Sequence, residues 1–347
     1  VTTDLIAAEQ LLPALKTIRL LAERGGDRVT LHTVATVEVQ GVQLPVYALV
    51  MGSKDPNAPA IGLFGGIHGV ERIGTEVVLA YLQSLVEGLH WSSALRDQIS
   101  QMHIVIMPIV NPGSMVKNHR SNPNGVDLMR NAPIDAEHKI PLLLGGHRIS
   151  RKLPWYRGKE HAPMEIEAQA LCQVVEEHLL NRPVSMAVDF HSGYGRKDYL
   201  WLPYAYTRKP FPFLAEMYAL KSIFDRTYPN HTQYTIEPQS LHYTTHGDLW
   251  DYLHIKSLAN KATMFLPLTL EMGSWRWIKK NPRQLLKFGS LFNPILPHRQ
   301  QRILRRHLVL IEFLLRAAHG HQNWIPKGDE RIQLTEQALR LWYPDHV

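Results

Sequence analysis

Four short apolar runs, at 61–64, 103–110, 185–190 and 262–270, constrain this chain more than any other feature. Each is brief enough for a strand, and none shows the polar alternation of a half-exposed sheet face. Such runs fit strands buried on both sides. Around them the periodicity becomes helical at 11–23, at 76–87 (opening near Gly74 and Thr75), at 165–180, at 213–224, at 245–258 and at 297–319. Segments 29–39 and 44–51 alternate and meet at a turn near Gly41, and 199–206 and 234–236 are further strand candidates. Strands interleaved with helices predict a three-layer α/β/α fold around a central mixed, mostly parallel twisted sheet. No repeat, low-complexity tract or linker interrupts the 347 residues, so a single domain over 1–347 is expected.

The ends of these runs hold the reactive side chains. Gly65 and Gly66 let the chain turn sharply after the first run, and His68 and Glu71 follow, three residues apart. At that spacing an imidazole and a carboxylate can converge on one cation, and zinc accepts both. Alone, such a pair is common by chance. The third and fourth runs, however, lead directly into His191 and Glu271. In open α/β sheets functional groups gather at the carboxyl ends of strands. Two histidines and one carboxylate leave tetrahedral zinc an open position for water, which predicts one Zn2+ per chain on His68, Glu71 and His191. Glu271 is then placed to take a proton from that water and return it to a leaving amine. Taken singly, His191 reads more readily as a satisfied structural histidine; the four residues together favour the site.

Composition excludes several alternatives. The net charge is +7, yet basic residues are mixed with acidic ones through most of the chain. Two concentrations stand out, Arg148, Arg151, Lys152, Arg157 and Lys159, then Arg299, Arg302, Arg305 and Arg306. Neither carries interleaved aromatics or a nucleic-acid motif, so both read as solvated faces and no nucleic-acid partner is expected. Apolar stretches are broken too early to span a bilayer; 308–315, for example, contains Glu312. Cys172 is the sole cysteine, which rules out an intrachain disulfide and a cysteine-rich metal site. With no charged n-region leading into an apolar h-region at Val1, a cytoplasmic location is expected. Nothing in the sequence sets an oligomeric state. The glycines at 62, 65, 66 and 69 lack the dinucleotide-binding spacing.

Over roughly 61–273 the sequence resembles the zinc carboxypeptidase family. His68-Gly69-Val70-Glu71 is similar to its H-x-x-E ligand pair, Asp189-Phe190-His191-Ser192 to the strand end with the third ligand, and Thr269-Leu270-Glu271 to the end bearing the catalytic glutamate. Asn111-Pro112-Gly113, Arg120 and the stretch from Gly125 to Asn131 follow the intervening N-P-x-G … R … G-V-D-x-N-R-N pattern. Trp155-Tyr156-Arg157-Gly158 and Glu165-Ile166-Glu167 resemble its approach to a helix. The resemblance implies that Arg120 steadies the carbonyl oxygen as it becomes an oxyanion. It implies that Arg130 grips a terminal carboxylate bidentately, that Asp127 orients His68, and that Tyr243 is a mobile substrate-binding tyrosine. Tyr243 reads equally as an ordinary loop aromatic. Asp248 lies near where the family selects the substrate side chain, which would favour a basic group, but it reads more readily as a helix N-terminal residue satisfying backbone amides. One position departs: Met129 stands where the pattern has an asparagine that helps hold the carboxylate, and a thioether cannot donate a hydrogen bond.

The expected activity is zinc-dependent hydrolysis of a peptide bond releasing a C-terminal amino acid. The alternatives are removal of an acyl group from an N-acyl amino acid, as in the related desuccinylases and aspartoacylases, and a binding module without turnover. A proton-shuttling Glu271 argues against the last.

Overall fold

The computed structural model describes residues 3–260, 263–280, 284 and 288–344. Helices α1 (Thr3–Leu11) and α2 (Pro13–Gly25) precede an antiparallel pair, β1 (Val29–Val39) and β2 (Val42–Gly52). The first apolar run forms β3 (Ala60–Gly65) and leads into α3 (Arg72–Trp91), α4 (Ser93–Ser100), β4 (His103–Met107) and α5 (Pro112–Lys117). A long loop then reaches α6 (Ile166–His178), β5 (Val184–Ser192), β6 (Asp198–Leu202), α7 (Leu214–Thr227) and β7 (Tyr234–Pro238). The chain continues through α8 (Leu249–Ser257), β8 (Met264–Met272), α9 (Trp275–Lys280), α10 (Pro297–His319) and α11 (Gly328–Trp342).

These strands form one eight-stranded sheet in the order β1-β2-β4-β3-β5-β8-β6-β7. Its centre, β4-β3-β5-β8, is parallel, while β1, β2 and β6 join antiparallel neighbours. The expected mixed sheet is therefore present, with a parallel heart. Every residue of β3, β4 and β5 is buried, which explains their lack of alternation. Alternate residues face opposite layers. The Phe64 ring meets Trp250 of α8 at 5.0 Å, whereas a side chain at Gly65 would point at α3. Helices α3 and α10 pack together on one face and α6 and α8 on the other.

Several boundaries differ from the sequence reading, each for a local reason. The helix expected over 11–23 starts two residues later, because Pro13 opens it, and a separate α1 precedes it. The helix expected from 245 begins only at Leu249, where the Asp248 carboxylate accepts from the Trp250 and Asp251 amides. Asp248 is thus the cap that its sequence position suggested. The strand expected over 262–270 lies at Met264–Met272, and Ala262 itself lies outside the described residues. Helix α11 escaped notice because it buries only Ala338 and Trp342, too narrow a stripe for periodicity to register.

Gly74 sets how closely α3 approaches the sheet. A Cβ there would lie 2.2 Å from the backbone oxygen of Phe190 in β5. In an open helix Gly→Ala is stabilising. Here Gly74→Ala should destabilise by about 1–3 kcal/mol through overpacking, read as a lower midpoint in denaturant unfolding. An unchanged or raised midpoint would show that the helix is not held so tightly.

Candidate functional site

Parallel register brings the reactive strand ends together. His191 and Glu271 are direct partners across β5 and β8, and β3 lies on the other side of β5. Beyond β3, Gly66 takes a positive φ of 65° that feeds the turn carrying His68 and Glu71. Gly69 sits against α5 so closely that a Cβ would meet the Ser114 backbone at 2.1 Å. The potential ligand atoms of His68, Glu71 and His191 all lie within 4.8 Å of one another, and all three residues are buried.

Positive charge is concentrated on this triad. Arg120 Nη1 donates to Glu71 Oε1 at 3.1 Å, and Nη2 lies 2.7 Å from His68 Nε2. A guanidinium only donates, so Nε2 is the acceptor and Nδ1–H donates to the Arg120 carbonyl oxygen at 3.2 Å. Burial, with Arg120 beside it, takes the His68 pKa down to about 3 and keeps the ring neutral. The other histidine behaves oppositely. His191 Nδ1 faces Glu71 Oε2 at 3.1 Å and Nε2 faces Asp189 Oδ2 at 2.5 Å. Carboxylates accept only, so both ring nitrogens carry protons. Burial disfavours that charge, but Asp189 and Glu71 outweigh it and raise the pKa well above the usual value. Burial would raise the Glu71 pKa, but the charged His191 and Arg120 beside it hold it below normal.

The donor set fits zinc. Three protein ligands of His and carboxylate type are characteristic of a catalytic ion, and one histidine already has its far nitrogen fixed by an aspartate. Asp189, quoted in the sequence only as part of the strand-end motif, takes this role. It sits two positions before His191, on the same side of the strand, and also accepts from Trp250 Nε1 at 2.8 Å. The D-x-H spacing was the available signal.

Glu271 stands beside the triad. Tyr194 N donates to its Oε1 at 2.8 Å, and burial together with the Glu71 carboxylate raises its pKa to about 8. An aromatic wall adjoins it: the Tyr194 ring lies 5.4 to 5.8 Å from Trp201, Trp275 and Tyr243. Tyr243 therefore belongs to the site. Its phenol is pushed up to about 12, chiefly by burial. Trp275 is half exposed on this wall, while Trp277 is buried packing.

Three expectations need correction. Asp127 does not hydrogen-bond His68; its Oδ1 lies 3.8 Å from Nε2, while Oδ2 accepts from Arg120 Nε at 2.8 Å. Asp127 thus orients Arg120. Arg130 is not wholly free for a carboxylate, since Nε donates to Leu144 O and Nη1 to Met129 O, and a bidentate grip must use its remaining N–H groups. The basic concentrations are not wholly solvated, because Arg157 is buried and Arg306 pairs with Asp198 at 2.6 Å.

A family model described as zinc carboxypeptidase matches residues 14–275. Carboxypeptidase E of Caenorhabditis elegans is 24% identical over 186 residues, which cover 49% of this chain and 38% of that protein. Carboxypeptidase SOL1 of Arabidopsis thaliana is 31% identical over 75 residues, covering 22% of this chain and 15% of that protein. The chain thus spans well under half the length of these curated relatives. Among solved structures, thrombin activatable fibrinolysis inhibitor superposes with a TM-score of 0.66 at 20% identity, covering 89% of this chain and 74% of the other. Carboxypeptidase A of Helicoverpa armigera gives 0.66 at 16% identity, with 88% and 72% covered. At such identities the likeness is one of fold, and it extends through most of this chain.

A cation held by the triad must displace the His191 proton that faces Glu71. Apparent zinc affinity should therefore rise with pH through the neutral range, by about tenfold per pH unit for one displaced proton. Chelator competition between pH 6 and 7.5 measures this. A flat profile would contradict the doubly protonated His191.

Proposed function

Because the chain belongs to the zinc carboxypeptidase family, matching its model over residues 14–275, we propose that it hydrolyses peptide bonds with one zinc ion held by His68, Glu71 and His191. The observation that carries this reading is the convergence of that triad with Glu271, all four buried at neighbouring strand ends. When bound, the ion supplies Lewis acidity and makes water a nucleophile near neutral pH.

The chain's own residues do the rest. Glu271, held by the Tyr194 amide, receives the proton lost by the attacking water and delivers it to the leaving nitrogen. A pKa near neutrality suits a group that must do both. Arg120, locked by Asp127, supplies the fixed positive charge toward which a developing oxyanion would turn. The aromatic wall around Tyr194, with Tyr243, excludes water and favours an apolar or ring-bearing substrate group.

Release of a C-terminal amino acid is the primary reading, with Arg130 holding the terminal carboxylate. Met129 gives that arginine no amide partner, and two of its donors already serve backbone carbonyls. This arrangement supports a second substrate class, a peptide without a free C-terminus, and rates on a matched free-acid and amide pair separate the two. An N-acyl amino acid also carries a free carboxylate, so a screen of free peptides against acyl amino acids tests that alternative.

Glu271→Gln should retain zinc and lose about 10²–10⁴-fold in turnover; loss of the metal with the activity would contradict its role as proton carrier. Arg130→Ala should lower kcat/KM for the free acid by roughly 10–150-fold, the equivalent of about 1.5–3 kcal/mol for a charged hydrogen bond, and leave the amide untouched. Equal rates on acid and amide, indifferent to Arg130, would replace the exopeptidase reading with an endopeptidase or amidase one.

A further inference from the structure

The family match ends at residue 275, but a segment beyond it returns to the site. Residues 290–293 cross between the two elements that supply the triad. On one side Asn293 Nδ2 donates to Val70 O at 2.6 Å, and its Oδ1 accepts from Ile73 N at 3.0 Å. These two backbone groups flank Glu71. On the other side Ser192, the residue after His191, donates from Oγ to Phe292 O at 2.7 Å. Ser192 N donates in turn to Glu71 Oε2 at 2.9 Å. Gln284 secures the crossing by donating to the carbonyls of Ser290 and Asn293 at 2.7 and 2.9 Å. Phe292 lies so close to Gly193 that a Cβ there would meet its ring at 2.7 Å.

The start of α3 explains why such a strap has a task. Glu71 occupies the N-cap position of that helix, yet its side chain caps nothing. Its carboxylate is turned toward His191 and Arg120 instead. A helix whose N-cap carboxylate serves another purpose leaves first-turn amides unsatisfied. Asn293 supplies the missing acceptor from more than two hundred residues away. The same amide group ties down the carbonyl before Glu71, so both sides of the ligand are fixed by one side chain.

We propose that Asn293, with Phe292 and Ser192, is a brace that sets the separation of Glu71 and His191 and so preorganises the metal triad. Asn293 is a positioning residue, acting through the backbone on either side of Glu71. The inference rests on the metal-binding role proposed for that triad. Partners that orient ligands from behind are typically worth about 10–100-fold in metal affinity.

The test is zinc affinity by chelator competition, with the visible absorption of the cobalt-substituted protein as a report on ligand geometry. Asn293→Ala should weaken zinc about 10–100-fold and shift the cobalt bands, and Ser192→Ala should move both in the same direction. Ser92→Ala is the control: it removes the cap that Ser92 Oγ gives the Leu95 amide in α4, so it should lower the melting temperature and leave both readouts unchanged. If Asn293→Ala does not fold, Asn293→Asp, which keeps the acceptor for Ile73 and loses the donor to Val70, decides by the same readouts. Wild-type affinity and an unshifted spectrum in the Asn293 variant would overturn the brace. Wild-type protein that binds no zinc would instead overturn the metal assignment itself.

Discussion

The buried carboxylate of Glu71 is the constraint around which the site is arranged. An ionised carboxylate withdrawn from water must be met by donors and positive charge, or it gives up its charge. Three groups meet this one: Arg120 Nη1, His191 Nδ1 and the Ser192 amide. They come from the long loop and from β5, while Glu71 itself stands in the turn after β3. A single anion thus draws three parts of the chain to one point, and their mutual positions follow from satisfying it. A divalent ion held by the triad would replace the His191 proton as a counter-charge to that carboxylate.

The sheet makes this convergence possible without contorted loops. Parallel strands deliver their carboxyl ends to one edge, and adjacency in the order β3-β5-β8 puts the three chemical ends side by side. Because His191 and Glu271 share register, the ligand and the proton carrier emerge next to each other from a rigid scaffold. Small residues then let the surrounding elements close in. Gly69 admits α5, Gly74 admits the backbone of Phe190, and Gly247 admits the carbonyl of Arg130. Precision at the site is thus inherited from packing in the layers beneath it.

Much of this was legible in the sequence because strand ends carry two signals at once. His68, Glu71, His191 and Glu271 each followed an apolar run and each had the right chemistry, so position and residue type agreed. The sequence marked Arg130 as a candidate carboxylate anchor but not its bonding, since its attachment to Leu144 O depends on how the long loop folds. The same holds for Asp127, whose preference for Arg120 over His68 is a matter of about one ångström. Arg306 was misread because a charge run says nothing about which member turns inward to Asp198. Asn293 lies furthest from legibility: no local pattern links it to Val70, and only the tertiary path of the chain brings them together.

The central claim is that His68, Glu71 and His191 together bind a zinc ion. Metal analysis of the purified protein and of His191→Ala after dialysis against equal zinc tests it most directly. The account predicts one tightly held zinc per chain in the wild type and its loss from the variant, in which two ligands remain and Asp189 keeps only Trp250 as a partner. Stoichiometric, tightly held zinc in His191→Ala would place the metal elsewhere and contradict the assignment.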